Sequence, residues 1–97
     1  MSTENPPSPT KVEMYTTAIC PYCVSAKNLL RSKGLEYTEL RVDTDAEQRA
    51  TMLQRSGGKR SVPQIFVNDI HVGGFDDLVA ADRNGRLAEI IGGHTKS

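Results

Sequence analysis

The only two cysteines of the 97-residue chain are Cys20 and Cys23, separated by Pro21 and Tyr22. They fall where an extended run gives way to a helical one. Lys11 to Thr16 alternates like a short strand. After the cysteines, Val24, Ala26, Leu29 and Leu30 recur at helical spacing up to Ser32-Lys33-Gly34, with Gly34 as the C-terminal stop. This places Cys20 at the mouth of a helix and Cys23 one turn inside it. Thiolate is the reactive form of cysteine, and the unpaired N–H groups of a helix N-terminus stabilise negative charge, so the placement favours a nucleophilic Cys20. Pro21 suits the first turn, where its missing N–H costs nothing. Cys23 shares the helix face of Cys20 and can close a disulfide with it. The stretch suits thiol–disulfide exchange.

Other uses of such a pair fit less well. A structural zinc site needs more ligands than two cysteines supply, and His71 and His94 stand 23 positions apart, outside zinc-finger spacing. Covalent haem attachment wants His directly after the second cysteine, where Val24 stands. A purely structural disulfide across so short a loop would constrain little unfolded-chain entropy.

The helix and strand that hold the pair must belong to one small domain, because the length leaves little room for a second. Formal charge is zero and no basic run of five or more occurs, which argues against nucleic acid or an anionic membrane as partner. No apolar stretch approaches the ~18 residues of a membrane span. Residues 1–10 are polar and proline-rich, are expected to be a disordered tail, and lack the apolar core of a signal peptide. A reactive dithiol without such a segment points to the reducing cytoplasm. No internal repeat is visible, and nothing demands more than a monomer.

Further along, Tyr37 to Val42 is predicted as a second strand. Asp43-Thr44-Asp45 offers capping side chains for a helix from Ala46 to Ser56, with Arg49, Met52 and Leu53 on one face and Gly57-Gly58 as its stop. The crossovers imply parallel strands with a helix against the sheet. Gln64 to Val67 and Ile70 to Gly73, split by Asn68-Asp69, predict a tight antiparallel hairpin. Phe75 to Asp82 is helical, Leu87 to Ile91 is one last helical piece, and residues 92–97 form a flexible polar tail. The order β-α-β-α-β-β-α predicts an α/β domain over residues 11–91, with a mixed four-stranded sheet and helices on its faces.

Three pieces in this order, Cys20-Pro21-Tyr22-Cys23 after a strand, Ser61-Val62-Pro63 before one, and Gly73-Gly74-Phe75-Asp76-Asp77 at a helix start, resemble a dithiol glutaredoxin of the small bacterial type, with a thioredoxin-like fold. The resemblance covers Val12 to Ile91. It implies an enzyme that takes electrons from glutathione, its co-substrate, to reduce protein–glutathione mixed disulfides and other disulfides in cell redox homeostasis. Glutathione reductase would be an indirect partner, and no tightly bound cofactor or metal is expected. Cys20 would be the nucleophile and Cys23 its disulfide partner. Pro63 would be a cis-proline facing the pair, leaving the backbone of Val62 free to bond the substrate's main chain. Gly74, the N–H groups of Phe75 and Asp76, and the Asp77 carboxylate would hold the γ-glutamyl end, while Gly73 and Gly74 allow close approach. Tyr22 would flank the glutathione sulfur, and Lys59, with Arg60, beside Ser61 would meet the glycyl carboxylate.

The sequence departs from the family pattern at Thr17, where members commonly carry Lys, and at Ser25, where many carry a basic residue. Both changes remove positive charge near Cys20, which predicts a less stabilised thiolate and weaker glutathione affinity. Lys27 remains, two helical turns from Cys20, where a surface charge is the plain expectation. Two other classes stay open: a redoxin recharged by thioredoxin reductase, which would not need the Gly-Gly-Phe-Asp-Asp site, and a dimeric carrier of a glutathione-ligated 2Fe-2S cluster, which Pro21 and the second cysteine disfavour.

Overall fold

In the computed structural model, residues 10–92 are described. Almost all of the tails expected at 1–10 and 92–97, and His94, lie outside the described residues.

Strand β1 (Val12–Thr16) leads through helix α1 (Pro21–Ser32) to β2 (Thr38–Arg41), and the crossover lays the two strands parallel. Helix α2 (Ala46–Arg55) then delivers the chain to β3 (Gln64–Val67), antiparallel to β1. Asn68 and Asp69, at φ 51° and 67°, fold β4 (Ile70–Gly73) back on β3. Two positive φ values in a two-residue loop match the right-handed twist of paired strands, which is why Asn-Asp works here. The sheet order is β2-β1-β3-β4. Helices α3 (Phe75–Arg83) and α4 (Arg86–Gly92) close the described chain. The mixed four-stranded sheet is the expected one, with each element within two residues of its predicted ends.

Period-two alternation divides the core between the two faces of the sheet. Val12, Met14, Ile65 and Val67 meet Ala26, Leu30, Leu78 and Ala81 of α1 and α3 on one side, where Leu87 of α4 joins them. Tyr15 and Phe66 meet Met52 of α2 on the other. The central strand β3 is therefore buried along its whole length. Each enclosed aliphatic side chain such as Leu30 or Ile65 contributes roughly 1.5–3 kcal/mol over leaving it in water.

Two residues on the expected helix faces lie outside the core. Val24 shares the helical spacing of Ala26 and Leu30 but is 54% exposed, and the buried stripe of α1 is Cys23, Ala26 and Leu30. At 3.6 residues per turn these three share a face, and Val24 stands about 100° round from Cys23. Arg49 is likewise exposed, leaving Met52 as the buried residue of α2. Asp45 alone caps α2, accepting the N–H groups of Glu47 and Gln48 at 3.0 and 3.2 Å. At the other end of α2, Arg55 reaches Tyr15 Oη at 2.9 Å and Glu13 at 3.0 Å, with its guanidinium 4.0 Å from the Phe66 ring centre.

Candidate active site

Cys20 is the N-cap of α1, with extended backbone, and its Sγ accepts the Cys23 N–H at 3.2 Å. The sulfur thus does what a Ser or Asp oxygen does at many helix starts, and it sits at the positive end of the α1 dipole. On its other side the Cys20 thiol donates to the Val62 carbonyl at 3.8 Å. The Val62–Pro63 bond is cis, as the resemblance implied. Neither cysteine is in a disulfide; Cys20 is half-buried and Cys23 buried.

Burial separates the roles of the two thiols. It pushes the Cys23 thiol up, to about 12, and the hydrogen bond with Cys20 acts in the same direction. The Thr17 backbone N–H and the charge of Lys27 pull the other way without winning. Cys23 is therefore a protonated core thiol at neutral pH, and Cys20 is the accessible one.

Beside Cys20 lies a groove of 260 Å³, lined by Tyr22, Ser61, Val62, Pro63, Gly74, Phe75, Asp76 and Asp77. Tyr22 forms one wall, 63% exposed and stacked on Phe75 at 6.3 Å between ring centres. The α3 N-terminus adjoins it, and there the N–H groups of Phe75 and Asp76 have no intrahelical carbonyl to bond. Asp77 Oδ2 accepts the Gly74 N–H at 3.0 Å, so part of the carboxylate expected to meet an ammonium is engaged in holding the helix start. Gly73 has a local role at the start of α3. Its φ is +118°, and a Cβ there would fall on the Asp77 carboxylate. Lys59 does not line this groove; it borders a neighbouring depression of 220 Å³ that shares Ser61, Gly74 and Asp77. Arg60 is exposed and lines neither.

Two supports of the site were not legible in the sequence. Asp43, read as a helix-capping residue, turns the other way: Oδ2 accepts the Ala18 N–H at 2.9 Å, and Arg41 grips both carboxylate oxygens at 2.8 and 2.7 Å. Arg41, with the Ala18 N–H, holds the Asp43 carboxyl well below the usual range. The loop leading into Cys20 is thereby tied to the end of β2. Lys27 is no free surface charge. It pairs with Glu39 at 2.8 Å, and Thr16 Oγ1 donates to the same carboxylate at 2.6 Å. A committed Lys27 leaves the vicinity of Cys20 short of mobile positive charge. Thr17→Lys is therefore expected to raise thiolate absorbance at neutral pH and to lower the KM for a glutathione mixed disulfide; unchanged absorbance would refute the charge argument.

A dithiol at the first helix N-terminus, opposite a cis-proline on a mixed four-stranded sheet, defines a thioredoxin-like redox protein. The glutaredoxin family model matches residues 12–72. Glutaredoxin 3 of Escherichia coli K12 is 49% identical over 80 residues, covering 82% of this chain and 95% of its own. A probable glutaredoxin of Synechocystis is 47% identical over 81 residues, covering 84% and 92%. Among solved structures, glutaredoxin from Brucella melitensis superposes with a TM-score of 0.74 at 44% identity, covering 90% of this chain and 94% of that one. A buckwheat glutaredoxin–glutathione complex also superposes at 0.74, with 27% identity and coverage of 84% and 76%. The chain belongs to the glutaredoxin family, close to its small bacterial members, and is a thiol–disulfide oxidoreductase.

Proposed function

We propose that the protein uses glutathione to reduce protein–glutathione mixed disulfides, and low-molecular-weight or protein disulfides, in the cytoplasm. The observation that carries this reading is the groove between Tyr22, the Val62–Pro63 turn and the α3 N-terminus, which opens beside Cys20. It offers a main-chain partner at Val62, N–H donors for an α-carboxylate at Phe75 and Asp76, and carboxylates at Asp76 and Asp77 for an α-ammonium. A γ-glutamyl peptide carries those groups at one end and its sulfur in the middle. Lys59, which borders the neighbouring depression, is the cation this reading gives to the glycyl carboxylate.

With the peptide so held, its sulfur is the one presented to Cys20. The Cys20 thiolate attacks it, the glutathione–protein S–S bond breaks, and the protein thiolate leaves and takes a proton from water. Cys20 is left joined to glutathione. The thiolate of a second glutathione attacks that glutathionyl sulfur, releases oxidised glutathione and returns Cys20 as thiolate. With a protein disulfide, Cys20 first forms a mixed disulfide with the protein. Cys23 then gives up its proton and attacks Cys20 Sγ, expelling the reduced protein and forming the Cys20–Cys23 disulfide, which two glutathiones reduce.

The test is turnover of a glutathione–β-mercaptoethanol mixed disulfide, coupled to NADPH oxidation through glutathione reductase, for wild type and Cys23→Ser. Turnover is expected in both. Folded protein inactive in both would sink the glutathione reading and bring forward a thioredoxin-reductase-coupled redoxin or a cluster carrier.

A further inference from the structure

Gln64 and His71 take no part in the exchange chemistry, yet they are joined to each other and to the groove. Gln64 opens β3 at 3% exposure, so its amide must find partners within the protein. Nε2 donates to the Ser61 carbonyl at 3.0 Å and lies 3.3 Å from Ser61 Oγ, while Oε1 lies 2.7 Å from His71 Nε2. A carbonyl oxygen only accepts. Ser61 therefore decides which end of the amide faces it, Oε1 is left toward His71, and His71 must carry a proton on Nε2. An imidazolium also has that proton, so the link survives in either charge state. The His71 ring is held flat on Phe66, with centroids 4.7 Å apart and planes at 22°.

The consequence runs through one peptide plane. The Ser61 carbonyl and the Val62 N–H belong to the same trans unit and point in opposite directions. A Ser61 carbonyl drawn toward Gln64 turns the Val62 N–H away from Gln64, and Ser61 and Val62 both line the groove. Ser61 lies in the loop ahead of β3, outside the ladder that would otherwise fix its orientation. We propose that His71 and Gln64 are positioning residues for this enzyme: the relay His71–Gln64–Ser61 aims the Val62 main chain at the substrate opposite Cys20. The proposal rests on the glutathione-groove reading above, since it assumes that Val62 holds the peptide.

The variant His71→Phe keeps a ring on Phe66 and removes the donor to Gln64. His71→Gln keeps an N–H donor at similar reach. Gln64→Met keeps length and removes both ends of the relay. Steady-state KM and kcat for a glutathionylated peptide are measured together with the pH profile of Cys20 alkylation by iodoacetamide and the melting temperature. Losing one hydrogen bond worth about 1 kcal/mol predicts a KM raised roughly fivefold in His71→Phe and Gln64→Met, with kcat and the alkylation profile unchanged. His71→Gln is expected to stay close to wild type. The proposal is overturned if His71→Phe keeps the wild-type KM, if His71→Gln is impaired equally, or if kcat and alkylation fall along with affinity. Wild-type protein that turns over no glutathionylated peptide would instead overturn the groove reading and this proposal with it.

Discussion

Cys20→Ser is expected to abolish reduction of both glutathione mixed disulfides and protein disulfides, by at least about a thousandfold. A serine hydroxyl at the α1 N-cap can accept the Cys23 N–H as the sulfur does, so the fold survives while the nucleophile is lost. Cys23→Ser is expected to behave differently. The mixed-disulfide route never uses Cys23 and persists, whereas the dithiol route loses its resolving thiol and stalls as a Cys20–substrate adduct. The raised value of Cys23, about 12, adds a pH signature. Burial is the first cause of that rise and remains when Cys20 is tied up in a mixed disulfide, although the contribution of Cys20 itself is then removed. Below its pKa the thiolate fraction of Cys23 grows about tenfold per pH unit, so single-turnover resolution of a protein mixed disulfide should accelerate steeply toward alkaline pH. Rapid-quench measurement of that step across pH checks this. A flat profile would mean that resolution is not limited by Cys23 ionisation.

The second large effect is expected at Gly73. At φ +118° an alanine is strained by about 1–3 kcal/mol, and its methyl group meets the Asp77 carboxylate. The carboxylate must move, and the Gly74 N–H then loses its acceptor at the start of α3. Gly73→Ala should therefore lower both stability in urea and affinity for a glutathione mixed disulfide. Gly34→Ala is the matched control. It also places alanine at positive φ, 74°, but in open space at the end of α1, so it should cost stability and leave the KM alone. Equal KM values for the two variants would refute a role for the Gly73–Asp77 contact in shaping the groove.

How much of this was legible beforehand follows from the range of the interactions. Cys20 at a helix mouth, Pro21 in the first turn, Gly34 as a helix stop, Asp45 as a cap and the Asn68-Asp69 turn depend on residues within about one helical turn or hairpin of each other, and the structure has them as the spacing implied. The alternating strands and the crossover through α1 carried the sheet. The three motifs carried the family, and through it the cis bond at Pro63 and the residues now found along the groove.

What only the tertiary structure decided is which of two plausible partners a polar side chain takes, and which face a helix turns inward. Asp43 could have capped α2 but binds Ala18, 25 residues away, because the end of β2 lies beside the loop entering α1. Val24 had the composition of a core residue, yet the sheet takes the face of α1 that carries Cys23, and that burial is what gives the second cysteine its high pKa. Gln64 and His71 read as ordinary strand residues until the β3–β4 pairing brought their side chains together above Phe66. Local sequence determined that a reactive thiol stands at a helix start. Packing across the sheet determined how deeply the second thiol is buried and what is held beside the first, since those contacts join residues whose separation along the chain carries no local signal.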